Sequence, residues 1–343
     1  MVGSDSELKF RVGSLFSGVG GIDLGFQQAG FEIAWANEID KDSCKTYRAN
    51  FSHTLFEGGI EDLKGNQLEA VDVLCAGFPC QAFSIAGYRK GFEDERGNMF
   101  FEIVRLINEF ETKPKVLFFE NVKNFRQHDG GRTFRTVREH LEELNYSFIW
   151  KVLNTCDYTP IPQNRERTFF ICFRDEFNLE FDVEKRLASM TYSFDQTFPP
   201  EKIRLNKPIS EFLEKKSVPE EFFYRKDKYK SNKYKSMYEA LEDAMKSQKT
   251  LYQWRRHYVR SNKRNMCPTL TANMGTGGHN VPLVVTDAGF RKLTPRECFN
   301  FQGFPKSFKL PKDLANSHLY KQSGNSVTVP LIELIAKRIL QVL

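Results

Sequence analysis

The chain has 343 residues, 40% of them hydrophobic and 27% charged; this is enough to bury a large core, points to two domains and excludes a globally disordered protein. Its net charge of +6 is modest, and seven cysteines without a C-x-x-C pair, with six scattered histidines, speak against a disulfide framework or a metal site and for a reducing compartment. No apolar run is long enough to span a bilayer and the first residues lack a signal peptide's basic and apolar regions, so a soluble, cytoplasmic protein is expected.

Residues 10–16 read as a first strand that runs into Ser17-Gly18-Val19-Gly20-Gly21 and then into helix-like residues 22–30. Strand, glycine turn and helix form the context of a nucleotide-type loop, where glycines let the backbone approach a ligand closely. The turn is not a full G-x-G-x-x-G, and alone it is a weak signal. A second strand, 32–37, ends in Glu38. An acid there can accept hydrogen bonds from ribose hydroxyls; an ordinary surface acid is the plainer alternative. A helix over 41–51 leads to the apolar strand Val71-Asp72-Val73-Leu74-Cys75-Ala76, which Gly77 and Pro79 end abruptly. Cys80 follows, at the strand edge where open α/β sheets bind ligands, and is either a nucleophile or a small apolar filler.

Residues 81–98 hold Arg89, Lys90, Arg96 and three glycines, and read as a mobile lid. A helix over 99–110 precedes a buried strand at 115–119, and Glu120-Asn121-Val122 at its carboxyl end puts a carboxylate on the same edge as Cys80. After a helix over 133–144 come Gln163-Asn164-Arg165-Glu166-Arg167 and a strand over 168–173. Two arginines two apart point to one face. They either face solvent or clamp an anionic or carbonyl group.

From about residue 201 the βα rhythm stops. Residues 201–264 hold 18 Lys and Arg against 9 Asp and Glu, whereas the rest of the chain holds 32 against 35. A charge run is usually a solvated face, but one interleaved with tyrosines and Trp254 suits a polyanion. Loop-rich residues 265–285 contain Thr269-Leu270-Thr271. Thr294 and Pro295 open a helix as N-cap and first residue. Gly324-Asn325-Ser326 precedes a last amphipathic helix, 330–340, in a turn suited to touching a ligand.

Together and in this order, these stretches resemble the C5-cytosine-specific DNA methyltransferases of bacterial restriction-modification systems. Phe16 to Gly21 is similar to the family's S-adenosylmethionine loop, Gly77-Phe78-Pro79-Cys80-Gln81 to its nucleophile motif and Glu120-Asn121-Val122 to its acid motif. Gln163 to Arg167 resembles its arginine motif, and residues 291–305 and Gly324-Asn325-Ser326 its two closing motifs. The resemblance covers nearly the whole chain apart from about 201–268. It implies an α/β fold, a Rossmann-like, mostly parallel sheet with helices on both faces, over residues 1–200 and 305–343. A smaller, mainly irregular or β target-recognition domain and hinge would take 201–304. The implied activity is sequence-specific DNA (cytosine-5)-methylation with S-adenosyl-L-methionine as cofactor. The implied partner is double-stranded DNA, with a cognate restriction endonuclease as a further candidate, and the chain would act as a monomer associated with the nucleoid.

The resemblance also assigns residues. Cys80 would attack C6 of an extruded cytosine, Glu120 would hold N3 and the exocyclic amine, and Arg167 and Arg165 would orient the base carbonyl or the carboxylate. Phe16, Gly18, Val19, Gly20 and Gly21 would surround the methyl donor, Glu38 would hold its ribose, and Ile39 and Ile60 its adenine. Phe78, Pro79, Asn325 and Ser326 would close that site. Gln81, Ser84, Arg89, Arg96, Arg255, Arg256 and Thr269 would contact DNA. One departure is Gly59-Ile60, where many relatives have an acid before the isoleucine; Asp62 is the candidate to replace it. A tRNA cytosine-5 methyltransferase would share the catalytic residues, but the long basic-aromatic insert suits a duplex. A non-catalytic DNA-binding relative would need none of Cys80, Glu120 and Arg167.

Overall fold

A computed structural model describes residues 9–78, 99–175, 183–229, 232–255, 258–276 and 280–343. The chain divides into two compact units, Met1–Leu153 with Glu166–Glu201 and Leu331–Leu343, and Asn154–Arg165 with Lys202–Pro330. The insert expected at 201–304 is thus part of a larger unit that also takes in residues 154–165 and runs to 330.

The first unit is built on seven strands: β1 (Arg11–Leu15), β2 (Glu32–Glu38), β3 (Thr54–Glu57), β4 (Val73–Ala76), β5 (Val116–Val122), β6 (Ile149–Asn154) and β7 (Glu166–Phe173). Their order is β3-β2-β1-β4-β5-β7-β6. The pairs from β3 to β5 are parallel, and β7 runs antiparallel to β5. The chain moves outward from β1 to β3, then returns to lay β4 on the other side of β1. The order therefore reverses between β1 and β4, the crevice where ligands gather at strand carboxyl ends.

Strand composition explains the sheet. Val73 to Ala76 and Val116 to Phe119 are all buried, as interior parallel strands covered on both faces must be. Successive side chains of β5 point to opposite faces. Phe118 meets Phe26 of α1 (Gly21–Ala29), while Phe119 meets Phe78, which in turn meets Phe100 of the helix Met99–Glu109. That helix buries Phe100, Ile103, Leu106 and Ile107, the spacing of one helical face. The C-terminal helix Val329–Leu340 lies so close to α1 that a Cβ on Gly25 would clash with Ile332. The mostly parallel sheet with helices on both faces is therefore present.

The second unit holds an antiparallel sheet in the order β11-β10-β8-β9, from β8 (Tyr252–Arg255), β9 (Tyr258–Ser261), β10 (Leu283–Thr286) and β11 (Gly289–Lys292). Leu241 and Met245, the first from the helix Asn232–Ala244, pack with Tyr224, Tyr252 and Leu283. A second core joins Ile161, Cys267, Leu270, Leu293, Cys298, Phe301 and Tyr320. The helix expected after Thr294 runs Pro295–Phe301 with a complete capping box from Thr294 and Glu297. Buried Glu297 accepts two 2.7 Å hydrogen bonds from Arg291, whose own burial needs such pairing.

Candidate active site

β4 and β5 run parallel with Ala76 opposite Phe119, so Gly77 and Glu120 leave the ladder side by side at its carboxyl edge. A Cβ on Gly77 would lie 3.7 Å from Glu120 Oε2, so this carboxylate oxygen faces the end of β4. On β7, Arg167 stands opposite Val122, two residues beyond Glu120 and therefore on its face. Its Nε donates to Glu120 Oε1 at 2.9 Å, with side-chain exposures of 15% and 12%. A charge-assisted bond shielded in this way is stronger than an exposed ion pair. It fixes the carboxylate on one edge while the other looks toward Gly77.

Asn121, buried beside them, donates from Nδ2 to the Phe78 carbonyl at 3.0 Å and accepts at Oδ1 from the Val122 amide at 2.8 Å. It pins the chain two residues before Cys80. Sequence reasoning quoted Asn121 only as part of a motif and gave it no role, because its partner lies 43 residues away. Cys80 lies outside the described residues, as do Pro79, Gln81, Ser84, Arg89, Arg96 and Arg256. The other six cysteines are buried. Burial pushes the thiols of Cys44 and Cys156 up to about 12 and about 11, and those of Cys75, Cys172, Cys267 and Cys298 upward as well. None of the six is suited to serve as a thiolate.

The glycine turn forms a concave loop after β1. Phe16, Gly18 and Gly20 have φ of 54°, 56° and 84°, and a Cβ on Gly18 would meet nothing within 4 Å, so the loop opens outward there. Glu38, at the end of β2, accepts from the Gly18 amide at Oε2 and from the Asp40 amide at Oε1, each at 2.7 Å. Burial pushes its carboxyl above the usual range, while those amides pull it down. Beneath the loop, buried Asp23 accepts from the Tyr47 hydroxyl at 2.8 Å, and burial pushes its carboxyl up to about 6. Tyr47 packs against Phe51, whose ring a Cβ on Gly20 would strike. The loop and the first turn of α1 are thereby tied to residues 47–51.

Around this loop, Ile39 is 65% exposed, whereas Ile60 and Phe78 are core residues at 1% and 2%. Neither of those two presents an open face; Ile39 does. Val19 is also buried. At the departure noted in the sequence, a Cβ on Gly59 would clash with the Glu61 carboxylate, which fills the space a side chain at 59 would take. Asp62, the expected substitute, lies near Gly58 instead, its Oδ2 3.4 Å from a Cβ there.

The two arginines expected on one face serve different groups. Arg165 precedes β7 and is 2% exposed; its Nη1 donates to the Leu270 carbonyl at 2.7 Å and its Nη2 to the carbonyls of Gly324, at 3.2 Å, and Ser326. Of the two alternatives for the pair, Arg165 takes the carbonyl clamp, on the protein's own backbone. Its reason is burial: the guanidinium is held within the second unit by three carbonyls from two otherwise distant segments. It ties the Thr269-Leu270-Thr271 stretch to Gly324-Asn325-Ser326, and Gly324 needs to be glycine because a Cβ would strike the Thr271 backbone. Thr269 Oγ1 donates to the Asn164 carbonyl at 2.6 Å, and buried Gln163 Nε2 to the Phe301 carbonyl at 2.6 Å. Asn325 is exposed, and Ser326 Oγ is buried without a hydrogen-bond partner among the described residues.

Residues 10–341 match the C-5 cytosine-specific DNA methylase family. The chain belongs to that family. It is 51% identical over 332 residues to the Type II methyltransferase M.Bsp6I of Bacillus sp. (strain RFL6), covering 96% of this chain and 98% of that one. It is 38% identical to the Type II methyltransferase M.HhaI of Haemophilus parahaemolyticus, over 95% of this chain and 92% of the relative. The crystal structure of S. pombe Dnmt2 methyltransferase superposes with a TM-score of 0.70 at 17% identity, over 97% of this chain and 99% of that one, a likeness of fold.

The methylase is a DNA (cytosine-5)-methyltransferase, and S-adenosylmethionine is its methyl donor. The loop after β1 fits that donor on its own geometry. Glu38 has one amide on each oxygen and so keeps acceptor capacity for hydroxyls. Gly18 leaves open space, and exposed Ile39 offers a flat apolar ring a surface.

Proposed function

We propose that the methylase extrudes a cytosine from duplex DNA and that Cys80 adds to its C6 while Glu120, held by Arg167, steadies N3 and the exocyclic amine. A stacked base offers no access to C6, so flipping is required. Cysteine suits the attack because its thiolate is strongly nucleophilic even as a minor species. Addition turns the ring into an enamine with electron density at C5. Bound S-adenosylmethionine offers that carbon a sulfonium-activated methyl group. With the methyl group on C5 and S-adenosylhomocysteine as the leaving group, the C5 proton would pass to a water, and the electron pair it leaves would form the C5–C6 double bond as the C6–sulfur bond breaks and releases Cys80 as thiolate.

The observation that carries this reading is the Glu120–Arg167 pair at the end of β4. Gly77, whose Cβ position is 3.7 Å from Glu120 Oε2, is followed three residues later in the sequence by Cys80. Phe16, Gly18, Gly20, Gly21, Glu38 and Ile39 would hold the donor. Arg165 acts through others, bracing Leu270 and Ser326. On this reading the chain acts as a monomer in the cytoplasm, on nucleoid DNA, with an endonuclease that acts on the same DNA site as its counterpart. Bisulfite sequencing of plasmid from bacteria expressing the chain is expected to show 5-methylcytosine at one recurring sequence; unmodified plasmid would overturn the reading.

Glu61 takes the role left open at Gly59, accepting the adenine amine of the donor. Glu61→Ala is expected to raise the KM for S-adenosylmethionine about 10–150-fold with little change in kcat, the scale of a lost hydrogen bond to a charged acceptor. An analogue lacking the 6-amino group should bind wild type and variant alike. Equal losses for both donors would assign Glu61 to packing.

A further inference from the structure

The β8–β9 hairpin has two unlike faces. Gln253 pairs with Arg260, Trp254 with Val259 and Arg255 with Tyr258. Tyr252, Trp254 and Val259 turn inward to the core around Leu241, Met245 and Leu283. Strand alternation leaves Gln253, Arg255, Tyr258 and Arg260 outward. Both arginines are exposed, Tyr258 is 59% exposed, and β9 is the sheet's edge.

On that outer face Gln253 Oε1 accepts from Arg260 Nη2 at 2.6 Å and from Arg255 Nη2 at 3.3 Å. A guanidinium only donates, so the amide oxygen must face the arginines and the amide's own NH2 turns away. The partners of these guanidiniums among the described residues are neutral oxygens, of Gln253 and Asn262. Two positive charges are therefore braced in fixed directions, with no neutralising acid among the described residues. The three side chains present N–H donors, their single acceptor being already occupied.

Such a surface selects its complement. In the major groove, guanine shows two acceptors, O6 and N7, whereas cytosine and adenine each show an amino donor, and the groove admits a two-stranded β-ribbon. We propose that Gln253, Arg255 and Arg260 form a guanine-reading element, the arginines each directed at O6 and N7 of one guanine and Gln253 setting their spacing. This rests on the reading of the chain as a duplex DNA methylase. Phosphate contacts need only a positive charge within reach, not a brace that fixes direction.

The test uses the full chain. The methylated sequence is mapped on plasmid, and single-turnover methylation is measured on duplexes in which each base pair of that sequence is replaced in turn. Arg260→Ala is expected to lose about 10–100-fold on the intact sequence, the discrimination of one bidentate contact, and to accept replacement of one particular guanine at no further loss. Gln253→Ala should move the same way by less, and Arg260→Lys should fall between. Calorimetric donor binding reports that each variant is folded. Rates falling by one factor on every duplex, with a shallower salt dependence, would overturn base reading in favour of phosphate contact; so would variants with wild-type selectivity. A wild-type chain that methylates no duplex cytosine would sink the methylase reading itself, a failure distinct from either.

Discussion

Cys80→Ala is expected to lose methyl transfer by on the order of 10⁴-fold or more, the scale felt when a covalent nucleophile is removed, while binding S-adenosylmethionine as wild type does. Cytosine C5 is too weak a nucleophile without a group added at C6, so no other residue compensates by binding alone. The six remaining thiols are buried, and burial raises the pKa of each, which leaves them both inaccessible and protonated. Donor binding should survive because the Gly18–Glu38 contact belongs to β1 and β2, separate from the segment that carries Cys80. Calorimetry with S-adenosylmethionine and a tritium-transfer assay on duplex DNA read the two properties separately. Methylation within tenfold of wild type would remove Cys80 from its role. Cys80→Ser keeps the shape but holds its proton far more tightly, and should recover little.

What could be read from the residues alone divides by range. β1, its glycine turn, α1 and Glu38 are contiguous features, and the structure places Glu38 on the Gly18 amide as strand-loop-strand order requires. β4 and β5 are short apolar runs whose ends carry Gly77 and Glu120, so their common edge followed from parallel pairing. Strand β3, with no buried residue in Thr54–Glu57, has neither alternation nor an apolar run, so its residues carry no strand signal. The helix Asn232–Ala244 lies in a basic-aromatic stretch read only for its charge. The two arginines illustrate the larger limit. Two-residue spacing put Arg165 and Arg167 on one face, but Arg167 is in β7 and Arg165 is not; its partners are 105 to 161 residues further along. Asn121 and Gln163 are equally invisible in local pattern, since each depends on which backbone the fold brings alongside.

Glu120→Gln should lower kcat by about 10²–10⁴-fold, the usual contribution of a positioned acid or base, with KM for the donor little changed. The substitution keeps the side chain's volume and an oxygen for Arg167, yet removes the charge that meets the cytosine ring as its N3 gains proton character. Arg167→Ala leaves the carboxylate in place but removes the Nε donor at 2.9 Å that fixes its Oε1 edge. A smaller loss, about 10–100-fold, is expected for a residue that works by orientation. The two changes touch one unit, so they should not add: the double variant is expected to be about as slow as Glu120→Gln alone. If instead the losses multiply, Arg167 acts on the base independently of Glu120, for instance by bonding its carbonyl directly. The cycle separates these roles because Glu120→Gln has already removed the charge that Arg167 positions, so a further loss on removing Arg167 reports its own action on the substrate.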